Sequence, residues 1–223
     1  MAATAPFKGK YYDLSNPVWE GMPFYPANAP AVIEQVSSVE KNGFNVHRFK
    51  ISTHQGTHVD APRHRFNEGL SLEELDLNLF MGEAVVLDLS DKELGSAVGA
   101  EDLEKFSELV RPGDIVILYT GCADHLGEVW LNSNYTYVDR SGAEWLVAKK
   151  VKSVGIDFFS IDKYGDTSNP AHNLLLGNGI PLIEEISSVA KQLGGKRIYF
   201  VCLPLRITAG DGAPARAIAY LLD

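Results

Sequence analysis

The 223-residue sequence predicts an α/β fold: a mixed or parallel central sheet, a smaller antiparallel sheet and packed helices. Three observations carry that reading. Four near-continuous apolar runs, 83–90 (EAVVLDLS), 114–121 (DIVILYTG), 151–157 (VKSVGID) and 197–204 (RIYFVCLP), have the composition of strands buried on both faces of a sheet. Helical segments lie between these runs, and strands alternating with helices imply crossover connections. Three short β-prone runs, 11–15 (YYDLS), 31–39 (AVIEQVSSV) and 44–52 (FNVHRFKIS), are separated by Pro and Gly and make the first quarter an antiparallel sheet.

The helices follow from capping and punctuation. One covers Glu101–Leu109. A second covers Ser141–Val151, opening with Ser141 and Glu144 at capping-box spacing. A third spans Pro181–Leu193, with Gly194-Gly195 as its stop. The length suits one well-filled domain over 1–223, and no repeat or linker divides it.

With 45% hydrophobic residues the chain is globular rather than disordered. Its net charge of −9, with basic residues never gathered into a stripe, excludes nucleic acid as the expected partner. The opening MAATAPFKGK lacks the apolar core of a signal peptide, and no later apolar run reaches bilayer length. A cytoplasmic protein without membrane contact is expected. Cys122 and Cys202 sit far apart beside or within apolar runs, which reads as two reduced, buried thiols.

The chemistry concentrates in residues 54–64, HQGTHVDAPRH, which hold three of the six histidines and an aspartate. Gly56 and Pro62 argue against a helix here, so His54 and His58 are not the i, i+4 pair of a helical zinc site. An extended chain from His58 onward places His58, Asp60, Pro62 and His64 on one face. Two imidazoles and a carboxylate suit Zn²⁺ or Mn²⁺ and leave open positions for water. A metal there lowers the pKa of its bound water to about 7 and polarises a carbonyl. His64, just beyond the triplet, is then placed to move the proton. A closed structural site would draw on cysteine, and neither cysteine is close in sequence.

The pattern His-x-Gly-Thr-His-x-Asp-x-Pro-x-His resembles the signature of the cyclase family of metal-dependent hydrolases, which includes bacterial kynurenine formamidases and isatin hydrolases. Further segments resemble that family in order: Asp13-Leu14-Ser15, Pro23-Phe24-Tyr25-Pro26, Ala171-His172-Asn173-Leu174-Leu175, Ile183-Glu184 and Gly212-Ala213-Pro214-Ala215-Arg216. The resemblance implies a swivelling β/β/α fold in which His54, His58 and Asp60 bind one divalent metal. Asp60 would bridge to a second ion held by His172 and Glu184, while His64 transfers protons. It also implies that Tyr25 touches substrate, although the segment Tyr-Pro-Ala-Asn departs from the Trp-Pro-Gly-Asp common in kynurenine formamidases. A homo-oligomer is expected on the same ground.

The expected function is a metal-dependent hydrolase that cleaves an amide or formamide C–N bond of a small, aromatic substrate. A cyclic amide (isatin-type) or lactone hydrolase is the alternative, as is a non-catalytic metal or small-molecule binding protein. Arg206 and Arg216 flank Asp211 and read as its ion-pair partners, the alternative being that one of them clamps a substrate carboxylate bidentately.

Overall fold

The computed structural model describes residues 10–126, 128 and 133–222; the first nine residues of the amino-terminal stretch read above lie outside them. The strands are β1 (Tyr11–Asp13), β2 (Val32–Ser37), β3 (Val46–Lys50), β4 (His58–Asp60), β5 (Met81–Asp88), β6 (Ala97–Val98), β7 (Ile115–Tyr119), β8 (Tyr137–Val138), β9 (Ser153–Ile156), β10 (Leu182–Glu184), β11 (Arg197–Pro204) and β12 (Gly212–Leu221). The helices are α1 (Val39–Asn42), α2 (Ala100–Glu104), α3 (Arg140–Ala148) and α4 (Pro170–Gly177). No helix among the described residues is long and apolar enough to cross a membrane.

The main sheet runs β1-β12-β11-β5-β7-β9-β10-β4, and β12 also pairs with β4. Its centre is parallel through β5, β7, β9 and β10, while β11, β12 and β4 join antiparallel. The β12–β4 pairing closes the sheet on itself. One end of β12 pairs with β4 at Gly212–Pro214, and the rest of it runs beside β11 and β1.

Closure explains why the apolar runs are continuous. Ala84, Val86, Ile115 and Ile117 point into one core with Val59, Phe200 and Ala217. Their neighbours Val85, Leu87, Val116 and Leu118 point the other way, into a second core shared with Leu146 and Leu175 of the helices. Period-two alternation with apolar groups on both faces requires that pattern.

Three expectations change. The segment 181–193 is a strand, β10, followed by a 3₁₀ stretch at Ser188–Leu193. Leu182–Glu184 lies between β9 and β4, and ladder hydrogen bonding on both sides outweighs its helical pattern. The third helix is instead α4, which begins with Pro170 at its first turn. Helix α3 opens one residue earlier than expected, at Arg140, because the Asp139 carboxylate accepts the Gly142 N–H at 2.9 Å; Ser141 donates its hydroxyl to Asp139 and accepts the Ala100 N–H at the start of α2 instead of capping its own helix. In the first quarter β2 and β3 form the expected antiparallel pair, but β1 joins β12 of the main sheet.

Candidate metal centre

Strand β4 sits between β10 and β12 and is wholly buried. Alternation along β4 puts His58 and Asp60 on one face and sends Val59 into the core. The β10 register sets Glu184 directly opposite His58. His54 comes from the turn before β4, where Gly56 adopts φ +69°, and His64 ends the 3₁₀ turn Pro62–His64. His172 enters from the first turn of α4. A Cβ on Gly212 would lie 2.6 Å from the His54 ring, so only glycine leaves room for that imidazole beside β12.

Three histidines share one arrangement: one ring nitrogen is tied to an oxygen and the other faces a carboxylate. His58 Nδ1 donates to the Gly56 carbonyl at 2.7 Å, and its Nε2 lies 3.3 Å from Asp60 and 3.6 Å from Glu184. His172 Nδ1 donates to Asp162 at 2.6 Å, and its Nε2 lies 3.4 Å from Asp60 and 3.5 Å from Glu184. His54 Nε2 meets Asp211 at 3.0 Å, and its Nδ1 faces Asp60 at 2.6 Å. An outer oxygen that fixes tautomer and ring orientation in this way is the usual support of a metal-ligating histidine.

The donor set fits a divalent cation. The buried His58 Nε2 and Asp60 Oδ2 have no hydrogen-bond partner, and leaving such groups unpaired is costly. With Nδ1–H committed to Gly56, His58 Nε2 presents a lone pair toward two carboxylates. That arrangement requires a proton or a cation between them. The ligand atoms gather in two groups, His54–Asp60–His64 and His58–Asp60–Glu184, each within 4.8 Å, with Asp60 in both.

The electrostatics follow. Burial opposes charge on His54, but the Asp60 charge and the bonds to Asp211 and Asp60 outweigh it and raise the ring to about 9. Burial likewise opposes charge on His172, and its bond to Asp162 and the facing Asp60 carboxylate raise it to about 10. His58 is raised well above its ordinary value by Asp60 and Glu184 against burial. Burial favours a protonated Asp60, yet the His54 charge and the His172, His54 and His58 rings that face it hold it well below the usual carboxylate range. Glu184 is raised by burial and by the Asp60 charge. Burial lowers His64 to about 4, with His54 and His172 adding repulsion.

All six residues singled out for metal binding and proton transfer therefore meet in one place, but in a different grouping. The sequence spacing keeps His64 away from the ligands; the 3₁₀ turn brings its ring to 4.0 Å from His54 and 5.6 Å from His172. Tyr25 lines an adjoining cavity of about 260 Å³ with Asn28, His54, His64, Arg65 and Phe159, and its ring lies 6.2 Å from Tyr164.

Several residues escaped the sequence reading. Asp162 and Asp211 orient His172 and His54. Asp211 was expected to pair with Arg206 or Arg216; it bonds His54 instead, and Arg216 pairs with Asp13. Buried Glu185 accepts the Gly56 N–H at 3.2 Å from a left-handed backbone, φ 56°. Arg65 stands at the cavity rim, its Nε donating to Asn173 at 3.1 Å. None belongs to the histidine pattern, and each is found only through its contacts.

The closed mixed sheet and the clustered His/Asp/Glu donors are those of a metal-dependent hydrolase-like fold. The family model described as putative cyclase matches residues 12–163, and the chain belongs to this cyclase family. A kynurenine formamidase of Bacillus cereus is 30% identical over 213 residues, covering 94% of this chain and 96% of its own. A structure described as a predicted metal-dependent hydrolase from Bacillus stearothermophilus shares 27% identity with a TM-score of 0.79, covering 94% of this chain and 97% of that one. Isatin hydrolase A from Labrenzia aggregata superposes with a TM-score of 0.87 at 23% identity, covering 96% and 94%, a likeness of fold.

Proposed function

We propose that the chain, as one catalytic domain over 1–223, is a metal-dependent hydrolase that cleaves the C–N bond of a small aryl amide or formamide. The observation that carries this reading is the buried, partnerless His58 Nε2 and Asp60 Oδ2 among three histidines whose other nitrogens are already tied. The kinship with kynurenine formamidases supports the bond type.

His54, His58, Asp60, His172 and Glu184 hold one or two divalent ions, Zn²⁺ or Mn²⁺, with Asp60 common to both positions. When bound, such a metal supplies an acidified water and a Lewis acid for the carbonyl. His64 is the proton carrier: lowered to about 4, its ring is neutral at physiological pH, accepts a proton at a ring nitrogen and passes it to the leaving nitrogen. Tyr25 and Phe159 provide aromatic faces for the substrate ring at the cavity wall. The enzyme works in the cytoplasm as a homo-oligomer.

The test is hydrolysis by purified protein loaded with Zn²⁺ or Mn²⁺ of an N-formyl arylamine, a cyclic aryl amide and a lactone. Turnover of the N-formyl arylamine that is lost on chelation and in His58→Ala is the expected result. Preferred turnover of the cyclic amide or lactone would move the assignment to those substrates. Stoichiometric metal without turnover of any of the three would make the chain a binding protein.

A further inference from the structure

One arginine on the cavity wall has no acid beside it. Among the described residues Arg48, Arg111, Arg140, Arg197 and Arg216 each pair with a carboxylate, whereas Arg63, Arg65 and Arg206 do not. Of these three only Arg65 lines the cavity that Tyr25, His54, His64 and His172 share. With a net charge of −9 the chain has acids to spare, so a cation left without one beside the ligand cluster calls for a reason. The arginines near Asp211 do not serve this cavity: Arg216 is held by Asp13, and Arg206 does not line the wall.

The side chain is held in place. Arg65 Nε donates to Asn173 Oδ1 at 3.1 Å, and Asn173 Nδ2 donates to the Ser168 carbonyl at 2.9 Å, which fixes the amide with its oxygen toward the guanidinium. The turn carrying Arg65 is closed by the N–H groups of Arg65 and Phe66, which donate to the Pro62 carbonyl at 3.1 and 3.0 Å. A Cβ on Gly177 would stand 3.4 Å from the Phe66 ring, so the residue after Arg65 packs on the same helix, α4. One guanidinium nitrogen is thus committed to the protein, while Nη1 and Nη2 make no hydrogen bond or ion pair among the described residues. A fork with one anchored end and a free edge loses little freedom on taking a planar oxyanion. Position sets its reach. Arg65 follows His64 and Asn173 follows His172, and consecutive Cα atoms are ~3.8 Å apart, so the free edge lies close to both the proton carrier and a ligand.

We propose that Arg65 is a substrate-binding residue that sets specificity, and that the substrate is an aryl amide or formamide bearing a carboxylate on its ring. Nη1 and Nη2 take the carboxylate bidentately, the ring lies against Tyr25 and Phe159, and the scissile C–N bond faces His64, His172 and Glu184. A cavity of roughly 150 Å³ takes a benzene molecule. The larger volume here, about 260 Å³, adds room for the amide and the acid. The inference rests on the hydrolase reading above and names its substrate class.

Steady-state kinetics of the Zn²⁺- or Mn²⁺-loaded protein tests it with two compounds of one shape, meta-formamidobenzoate and meta-formamidobenzamide. Wild type should favour the carboxylate in kcat/KM by roughly 10- to 100-fold, the scale of a charge-assisted bidentate pair, and Arg65→Met should bring the ratio to about one through KM. A wild type that turns over both compounds alike would overturn the clamp. So would an Arg65→Met protein that keeps the wild-type ratio at a lower rate, the result expected if Arg65 only braces its turn on α4. Arg65 is exposed, so Arg65→Met should keep the wild-type circular dichroism. Should it misfold, Arg65→Gln, which can still donate to Asn173, takes its place under the same criteria. If neither compound is hydrolysed, the hydrolase reading falls, and titration calorimetry of the same two compounds decides for the clamp. Tighter binding of the carboxylate to wild type, abolished in Arg65→Met, supports it; equal binding of the two refutes it.

Discussion

The Nδ1 of His172 and the Oδ2 of Asp162 stand 2.6 Å apart, and the same carboxylate accepts the N–H groups of Ala171 and His172 at 2.8 and 3.1 Å. One side chain thus caps the start of α4 and fixes the imidazole that the helix carries. Asp162→Asn replaces one acceptor oxygen with a donor facing a donor. Metal affinity should fall roughly 10–100-fold, the usual cost of removing an outer-shell partner. Competition with a chromogenic chelator measures it; unchanged affinity would show that His172 is not a ligand.

His64 separates two roles that its position allows. As a proton carrier, His64→Ala should keep near-wild-type metal content and lose about 10²–10⁴-fold in amide turnover. An aryl ester, whose phenol-like group departs without being protonated, should lose less. Loss of metal, read by elemental analysis, would instead place His64 among the ligands, as its grouping with His54 and Asp60 permits.

The raised histidines make metal loading a proton-releasing event. In the metal-free fold His54 titrates near 9 and His172 near 10, so both rings are charged at neutral pH. A ligand ring must be neutral, and binding must expel those protons. The calorimetric enthalpy at neutral pH should therefore scale with the ionisation enthalpy of the buffer, and affinity should climb with pH to about 10. The sign for stability follows from the same shifts: their contribution to the metal-free protein is complete below the ordinary histidine pKa and is lost as pH rises through about 9 and 10. The thermal midpoint of metal-free protein should fall over that window. A buffer-independent enthalpy and a flat midpoint would mean that the rings are already neutral.

Buried thiols should be silent. Cys122 and Cys202 are both free and fully buried, and burial pushes both thiols up from their ordinary value. Ellman's reagent should find no reactive thiol in the native protein and two after unfolding in denaturant. A fast native reaction would expose an opening motion around one of them.

What the sequence revealed and what it hid have physical reasons. The strands at 83–90, 114–121, 151–157 and 197–204 are legible because alternation with apolar groups on both faces leaves a continuous signal. His54, His58 and Asp60 are legible because ligand-capable side chains rarely crowd into so few residues. Glu184 is different: its strand is three residues long, and neighbours distant in sequence decide its conformation. Asp162 and Asp211 are invisible for a similar reason, since an acid in a loop acquires its task only when the fold delivers a histidine to it. The left-handed Glu185 has no local signature at all, because glycine or asparagine is the usual occupant of such a backbone.

Strand β4 pairs on one side with 182–184 and on the other with 212–214, so both of its flanking strands are synthesised long after it. While the ribosome is still at work, the histidine-rich stretch has emerged but has neither neighbour to lie against. His54 likewise waits for Asp211, and His58 for Glu184. The centre can form only after residues 211–214 have emerged, so a shorter nascent chain lacks the complete donor set. A truncation just before residue 211 would therefore abolish the site even though every proposed ligand is still encoded.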